Sequence, residues 1–287
     1  MPKAQAPASR STRGDDYQRV PRPVAAMARD LPGEHEIPWH SHPRFQLVYG
    51  AQGVMTVDTR GENGGETWVV PPQRAVWMPP GVEHRILNTG QVKLRTLYVA
   101  CEAAREMPQQ CEAFAVTPLL RELILRATEL PVEYDEAGPA GRVMRLILDE
   151  LASLVRLPYN LPMPASKILS DICRAMLGQP NERVTIEALG ERHGTTARTL
   201  ARRFRRETGM SFSEWRRRAR LLRALAWIAE GRAILAVALD LGYDSPSAFS
   251  AMFKREFGQP PSHYRSSASV YRAGAGVNYR ASAGVAA

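Results

Sequence analysis

The hydrophobic pattern of the chain changes its period from one region to the next. Between about residues 36 and 100, short apolar runs are separated by Pro and Gly, as in FQLVYG, GVMTV, TWVV, AVWM and LRTLYVA. Runs of this length with such punctuation are typical of strands in an antiparallel sheet or barrel. We therefore predict an all-β domain in this part of the chain.

A helical period follows the predicted strands. In TPLLRELILRATEL (117–130) and GRVMRLILDELASLV (141–155), apolar residues recur every three or four positions, which predicts an antiparallel helical pair. Its apolar stripe either packs inside the chain or joins two copies of it, and both alternatives stay open. The stripe contains Leu119, Leu123, Ile147 and Leu151.

Beyond a Pro-rich stretch that predicts a domain boundary near residue 160, the pattern predicts a helix-turn-helix. Thr185 can cap a short helix that ends at Arg192, and Gly194 supplies a tight turn. A second helix then begins near Thr196 and ends at Gly209.

A longer helix and a second unit of the same kind come next. Ser211 and Glu214 form the pattern of a capping box at the start of the long helix. In the second unit the turn spans 242–244, and Ser245 caps a helix whose first residue is Pro246. Two helices of this kind in one domain can enter two successive major grooves of DNA, about 34 Å apart.

The predicted reading helix of the first unit has an apolar and a basic side. At about 100° per residue, Leu200 and Phe204 share one side, and the opposite side is rich in arginine. Arg198 and Arg202 are the predicted base readers, because arginine makes two parallel hydrogen bonds to guanine. The alternative is a basic surface that only solvates the helix.

The helix of the second unit has small residues and a basic end. The small residues favour close approach to DNA, and the basic end favours contact with its phosphates. The predicted DNA contacts of both units are Thr196, Arg198, Ala201, Arg202, Arg203, Arg205, Arg206, Ser245, Ser247, Ala248, Ser250, Ala251, Lys254 and Arg255.

Charge and composition agree with this division. Residues 164–287 contain 20 of the 38 basic residues but 10 of the 29 acidic residues, so the positive excess lies in the C-terminal part. Three cysteines without paired spacing favour a reducing compartment. No stretch reaches the roughly 18 apolar residues that span a bilayer, and we expect a cytoplasmic protein.

Residues 164–266 resemble the DNA-binding domain of the AraC-type transcription regulators. The resemblance rests on the paired units, on the segments LARRFRRETG and SFSEWRRRARLLRA, on GYDSPSAFSAMFKREFG and on the closing PPSHYR. One departure is Ala251, where many relatives carry arginine, and it weakens the expectation of base reading by the second helix. The resemblance implies double-stranded DNA as a partner, and RNA polymerase if the protein is an activator.

Three histidines in the predicted β domain form a candidate ligand site. His40 and His42 are two residues apart, so an extended strand would direct both imidazoles to one face, which Gln46 shares. A turn at 79–81 precedes His84 and would bring it opposite this pair.

These residues resemble the two motifs of the cupin barrels. His40, His42, Gln46 and Gly53 match the first motif, except that an amide replaces its carboxylate, and Pro79, Gly81, His84 and Asn88 match the second. Glycines that usually open the motifs are absent at Glu34 and Gln73. The resemblance implies a divalent metal or an effector at His40, His42, Gln46 and His84, and polar lining of the barrel is the equal alternative.

The predicted fold is a multidomain α+β chain in which a cupin-like β-barrel precedes an all-α domain with two helix-turn-helix units. We expect a disordered tail (1–22), a sensor domain (23–105), a helical connector that is also a candidate dimerisation segment (106–163), the DNA-binding domain (164–266) and a second disordered tail (267–287). The predicted function is sequence-specific regulation of transcription, in which a small molecule or metal in the barrel modulates operator binding. The alternative is a cupin metalloenzyme with an attached DNA-binding domain.

Overall fold

The computed structural model describes residues 10–61, 64–88, 90–157, 160–179, 184–262 and 264. Its strands are β1 (Val24–Leu31), β2 (His35–His40), β3 (Phe45–Gln52), β4 (Met55–Thr59), β5 (Gly64–Val70), β6 (Arg74–Met78), β7 (His84–Asn88), β8 (Val92–Val99), β9 (Glu112–Ala115), β10 (Arg156–Leu157) and β11 (Asn160–Pro164). They form two antiparallel sheets, one with the order β1-β8-β3-β6-β9-β10 and one with the order β11-β5-β4-β7-β2. The predicted cupin-like β domain is thereby confirmed.

Alternation along each strand divides the apolar residues between two cores. In β1, Ala25 and Met27 belong to the core between the sheets, whereas Val24 and Ala26 belong to a second core on the outer face of the six-stranded sheet. Two helices, α1 (Pro118–Ala127) and α2 (Pro139–Ala152), cover that outer face. The first sheet is therefore buried on both faces.

The helical pair that the apolar period predicted is α1 and α2. Thr117 caps α1, since its side chain accepts a hydrogen bond from the Leu120 N–H at 3.0 Å. Ile147 and Leu151 of the predicted stripe are buried in the core under the helices, whereas Leu119 is 49% exposed. Leu123 is half-buried against the same core, so three of the four residues of the stripe pack inside the chain.

The predicted connector also contributes three strands that the sequence analysis missed. β9 and β10 extend the six-stranded sheet, and β11 is the edge strand of the other sheet, paired with β5. Pro162 and Pro164 lie in β11, and proline is tolerated in an edge strand because the missing N–H leaves no internal ladder bond unmade. The prolines that predicted a boundary are therefore part of the sheet.

The N-terminal tail was predicted to be disordered, and this is wrong for residues 10–22. Gly14–Tyr17 form a 3-10 helix, and Tyr17 is buried with its ring 6.0 Å from that of Tyr98. Arg10 donates hydrogen bonds to the carbonyl oxygens of Ala26 and Thr128, at 3.1 and 2.6 Å. Burial of the tyrosine ring offsets the entropy cost of ordering this segment, which its composition alone predicted to be disordered. Residues 1–9 and the predicted tail 267–287 lie outside the described residues.

The C-terminal domain is helical, as predicted. Its helices are α3 (Lys167–Gly178), α4 (Ile186–Arg192), α5 (Ala197–Thr208), α6 (Phe212–Ala229), α7 (Ile234–Asp240) and α8 (Pro246–Phe257). Trp215, Leu222 and Leu225 of α6 lie at the centre of their common core, and Leu161 of β11 is buried in the same core. In the part of the chain that the structure describes, no helix has the length and apolar content needed to cross a membrane.

Candidate nucleic-acid interface and candidate effector site

The first helix-turn-helix is shaped by its caps and two glycines. The Thr185 side chain accepts from the Ala188 N–H at 3.2 Å, and Gly194 has a φ of +62°, which permits the tight turn. Gly190 was not predicted to matter. A Cβ atom there would lie 2.8 Å from the Thr195 carbonyl oxygen, so only glycine lets the turn approach α4 this closely.

α5 presents the two sides that the sequence predicted. Leu200 and Phe204 are buried against the domain core, while Arg198, Arg202 and Arg205 are exposed. Among the described residues, none of these three arginines forms an ion pair. Their guanidinium groups are therefore available to an external acceptor.

The remaining two arginines of α5 share an acidic partner. Arg203 Nε lies 3.0 Å and Arg206 Nη2 lies 3.8 Å from Glu207 Oε1. The other carboxylate oxygen of Glu207 accepts the Ser166 N–H at 2.9 Å. Burial raises the pKa of Glu207, but the hydrogen bonds from Ser166 and Arg203 outweigh it and hold the pKa below its usual value. A charged Glu207 thus anchors α5 to the start of the domain.

The second reading helix, α8, begins with the predicted cap. Ser245 Oγ accepts from the Ala248 N–H at 3.1 Å, and Phe249 and Phe253 are fully buried. Lys254 and Arg255 lie in the last turn, exposed, where positive charge also complements the helix dipole. α8 therefore offers small side chains along its length and charge at its end.

The structure places the predicted DNA contacts mostly on the surface. Half-buried are Ala201, Ser245 and Ser250, and exposed are Thr196, Arg198, Arg202, Arg203, Arg205, Arg206, Ser247, Ala248, Ala251, Lys254 and Arg255. Thr196 and Ser245 already use their side-chain oxygens as helix caps. α6 separates the two units; its 18 residues correspond to about 27 Å of helix.

The three histidines converge, although His40 and His42 do not share one extended strand as the sequence suggested. His40 ends β2 and pairs across the sheet with His84 at the start of β7, while His42 lies in the connection to β3 of the other sheet. The chain leaves the five-stranded sheet after His40, so the single extended strand expected to carry both His40 and His42 is interrupted. The imidazole centroids are 4.2 Å apart for His40 and His84, 4.8 Å for His40 and His42, and 5.5 Å for His42 and His84.

Hydrogen bonds fix the orientation of two of the rings. His40 Nδ1 lies 2.7 Å from the Pro38 carbonyl oxygen, and His84 Nδ1 lies 2.9 Å from that of Val82. A carbonyl only accepts, so each Nδ1 carries the proton and each Nε2 keeps a lone pair. Backbone contacts of this kind orient metal-binding histidines.

Several buried polar atoms of the cluster have no partner among the described residues. They are His84 Nε2, both ring nitrogens of His42, and Gln46 Oε1. Gln46 donates through Nε2 to Thr96 Oγ1 at 3.1 Å, which leaves its carbonyl oxygen as the unused group. One nitrogen from each histidine lies within 4.8 Å of the others, as metal ligands do. Unpaired buried polar atoms cost free energy unless a ligand satisfies them.

Burial keeps the imidazoles of His42 and His84 neutral. It lowers the pKa of His42 to about 4, with a further contribution from His40. It lowers the pKa of His84 to about 3, against the opposing effect of the Val82 carbonyl. Neutral imidazole is the form that binds a metal ion.

The cluster opens into a cavity of about 240 Å³ between the sheets and the N-terminal 3-10 helix. Gly14 closes over it, since a Cβ there would lie 2.7 Å from Tyr98 Oη and 3.1 Å from His42 Cε1. Burial raises the pKa of Tyr98, so the phenol stays protonated. Sequence reasoning missed Gly14 and Tyr98, because neither belongs to a motif.

The cavity also contains Arg29, which the sequence analysis did not single out. The signal that could have found it is the alternation of VAAMARDL, residues 24–31, which gives Arg29 the same parity as the inward residues Ala25 and Met27.

Comparisons with known proteins agree with both parts of the chain. A cupin-domain family model matches residues 26–100, and a helix-turn-helix-domain model matches residues 189–267. The HTH-type transcriptional regulator NimR of Escherichia coli is 35% identical over 79% of this chain and 81% of its own. The regulatory protein SoxS of Escherichia coli is 32% identical over 36% of this chain and 97% of its own. A structure of ToxT from Vibrio cholerae aligns with 85% of this chain and 98% of that chain at 9% identity, with a TM-score of 0.36.

Proposed function

The chain belongs to the AraC-type transcription regulators, and on that premise we propose that occupancy of its barrel by a metal or small molecule controls how its two reading helices engage an operator. The observation that carries the proposal is the pairing of an exposed, unpaired arginine face on α5 with a buried, unsatisfied polar cluster in the barrel. The first needs an acceptor such as DNA, and the second needs a ligand.

In this account α5 reads bases and α8 contributes mainly backbone contacts. Arg198 and Arg202 contact guanine edges, because neither guanidinium is paired with an acidic side chain of the described residues, and Arg205, which lies near Glu214, reaches a phosphate. Arg203 and Arg206 share Glu207 and make weaker phosphate contacts. Lys254 and Arg255 hold the end of α8 against the neighbouring backbone.

His40, His42 and His84 fit a borderline divalent ion such as zinc. Their converging nitrogen atoms suit it, and Gln46 Oε1 would complete the set as a neutral fourth donor. A bound ion would supply positive charge to the cavity and satisfy the unpaired nitrogens. The amide, in place of a carboxylate, leaves that charge uncompensated.

β11 is the proposed link between the barrel and the DNA-binding domain. It pairs with β5 of the barrel, yet Leu161 is buried in the helical core and the Pro162 carbonyl accepts the Trp215 indole N–H at 2.7 Å. Arg218 also donates to the Asn160 carbonyl oxygen at 3.3 Å. A shift of the five-stranded sheet would therefore move α6, which separates the two reading units.

We propose a binding rather than an enzymatic role for the cavity. Among the described residues that line it, Asp15 is the one carboxylate, and it lies exposed at the rim. The low pKa values of His42 and His84 and the raised pKa of Tyr98 make these groups poor at exchanging protons near neutral pH. The metalloenzyme alternative lacks an acid–base pair beside the histidines.

Pairing of two copies is proposed through the exposed side of α1 and α2. Leu119 and Leu146 are 49% and 41% exposed there, whereas Ile147 and Leu151 are buried. An activator would in addition contact RNA polymerase. A pair of chains would present four reading helices to an operator of two half-sites.

Selection of DNA from a random-sequence pool by the full chain, followed by footprinting, tests the proposed function. We expect an enriched site with two protected boxes per chain about one helical turn apart. We also expect an affinity about 10³-fold or more above that for scrambled DNA. Equal affinity for selected and scrambled DNA would overturn sequence-specific regulation.

A further inference from the structure

The inward face of β1 carries one charged side chain. Ala25, Met27 and Leu31 of this strand lie in the core between the sheets. Arg29 occupies the same parity, pairs across the sheet with Leu94 and lines the cavity beside the histidines. A strand that faces a core excludes charge unless the charge has a partner.

No acidic side chain in the described residues forms an ion pair with Arg29. Its Nη2 lies 3.2 Å from His35 Nε2, which accepts a hydrogen bond but carries no negative charge. The neighbouring Asp30 is paired with Arg95 on the exposed side of the sheet, with 2.8 Å between Oδ1 and Nη1. Residues 1–9 contain neither Asp nor Glu.

The other groups around the cavity do not supply the missing negative charge. Arg13 and Asp15 lie exposed at the rim with opposite charges, and Asp15 forms no ion pair with Arg29 in the described residues. Gln46 is neutral, and a metal ion on the histidines would add positive charge. In a partly desolvated cavity, an uncompensated guanidinium attracts an anion more strongly than it would in water.

The rest of the cavity wall is apolar and the space is small. Met27, Ile37, Ile86 and Leu94 contribute to the wall. The volume of about 240 Å³ is below the roughly 300–1,000 Å³ of pockets for drug-sized ligands. These dimensions suit a compact organic acid and exclude a nucleotide.

We infer that the effector is a compact organic carboxylate, with its carboxylate on Arg29 and its apolar body against Met27, Ile86 and Leu94. This inference rests on the proposed role of the barrel as the sensor. Arginine suits the task because its planar fork binds both oxygens of a carboxylate. Charge, and not only shape, then selects the ligand.

Binding to the full chain, stripped of metal by a chelator, tests the inference. The probes are benzoate and cyclohexanecarboxylate, each compared with its amide, which has the same size without the charge. We expect calorimetry to show each acid binding at least about tenfold more tightly than its amide, as for a charge-assisted hydrogen bond of about 1.5–3 kcal/mol. Equal binding of acid and amide, or no binding of any probe, would overturn the inference.

Three variants assign the preference to Arg29. Arg29→Gln should abolish the advantage of the acids, Arg29→Lys should keep part of it, and Arg105→Gln, which changes an exposed arginine outside the cavity, should leave it unchanged. If circular dichroism shows that Arg29→Gln is unfolded, Arg29→Lys serves as the test. Loss of the bidentate geometry should still reduce the ratio of acid affinity to amide affinity. A ratio that is the same in both Arg29 variants and the unmodified chain would place the carboxylate elsewhere.

DNA binding is measured separately, so that the two proposals can fail independently. If the acids bind through Arg29 but do not change operator affinity, the ligand class stands and the sensor role fails. If no acid binds better than its amide while operator binding remains specific, the ligand class fails and DNA recognition stands.

Discussion

At the scale of single residues, ion pairing divides the arginines of the first reading helix. Arg203 and Arg206 lie within 4 Å of Glu207, whereas Arg198, Arg202 and Arg205 form no ion pair in the described part of the chain, although Arg205 lies near enough to Glu214 to help lower the pKa of that carboxyl. The periodicity of the sequence predicted which arginines face outward, but not this division. Only the folded geometry brings Ser166 to Glu207 and fixes the carboxylate beside Arg203.

Arg202→Ala should selectively weaken binding to the selected operator. Loss of a bidentate contact to guanine costs about 1–3 kcal/mol at the true site and little on random DNA. Arg206→Ala is the matched control, because it removes the same charge from a group next to Glu207 and should lower both affinities slightly. Fluorescence anisotropy on the two DNAs measures the effect, and equal losses for Arg202→Ala would make it a phosphate contact.

His84→Ala should remove the metal from the purified, untagged protein. Elemental analysis should find about one divalent ion per chain in the unmodified protein, retained in His193→Ala, which changes an exposed histidine at the end of α4. The His84 variant loses one of three nitrogen donors, and metal sites depend on every ligand. Retention of the ion in His84→Ala would contradict the proposed ligand set. Absence of metal from all three proteins would leave an organic molecule as the remaining candidate effector.

The candidate effector site could be predicted in part from its residues. The spacing of His40, His42 and His84 predicted their convergence, and the structure brings Gln46 to the same cavity. Arg29 was missed because the strand prediction began near residue 36, so β1 had no assigned inward face.

At the scale of elements, the helix-turn-helix depends on a glycine that no motif reasoning selected. Gly190 has backbone atoms of the turn within 3.0 Å of where a Cβ atom would lie, namely Thr195 O at 2.8 Å and Ala197 N at 3.0 Å. A methyl group there would push α4 away from α5. The orientation of the reading helix therefore depends on this close approach.

Gly190→Ala should destabilise the DNA-binding domain by about 1–3 kcal/mol, as overpacking does. Gly178→Ala is the control, because a Cβ at Gly178 meets nothing within 4 Å, and alanine reduces the entropy of the unfolded chain. Chemical denaturation followed by tryptophan fluorescence compares the two. Equal free energies of unfolding for the two variants would show that the turn accommodates the added methyl group.

Strands and helices with strong periodicity were predicted well, and short edge elements were not. α1, α2, α5, α6 and α8 follow the apolar patterns that indicated them. β10 and β11 were missed because β10 has only two residues and β11 has five, of which two are prolines, so neither carries a periodic signal. Their place is fixed by pairing with β9 and β5, which are distant in sequence.

At the scale of the whole molecule, the boundary between the domains is also their connection. Leu161 and Pro162 belong to a strand of the barrel and contact the helical core. Sequence composition separated the two domains but could not show that one strand serves both. A ligand in the barrel can therefore act on the reading helices without contacting them.

A fragment of residues 161–287 should fold and bind DNA without the barrel. It keeps Leu161 and the Pro162 carbonyl that Trp215 contacts, so every buried residue of its core is retained and only the partly buried Val69 and Leu157 are lost. Its DNA affinity should fall steeply with salt, because basic contacts to phosphate release counterions. Circular dichroism and anisotropy at several salt concentrations test this, and a folded fragment that ignores DNA would refute the domain assignment.

The central claim is that the state of the barrel sets the affinity for the operator, and one titration tests it most directly. Anisotropy on the selected operator compares the chelator-stripped full chain with the same protein after zinc and after zinc plus benzoate, beside His84→Ala and the 161–287 fragment. The account predicts a change of at least about fivefold, the lower end of allosteric coupling, in the full chain, none when zinc alone is added to His84→Ala, and none with either ligand in the fragment. An affinity that stays constant while zinc and benzoate are demonstrably bound would contradict it.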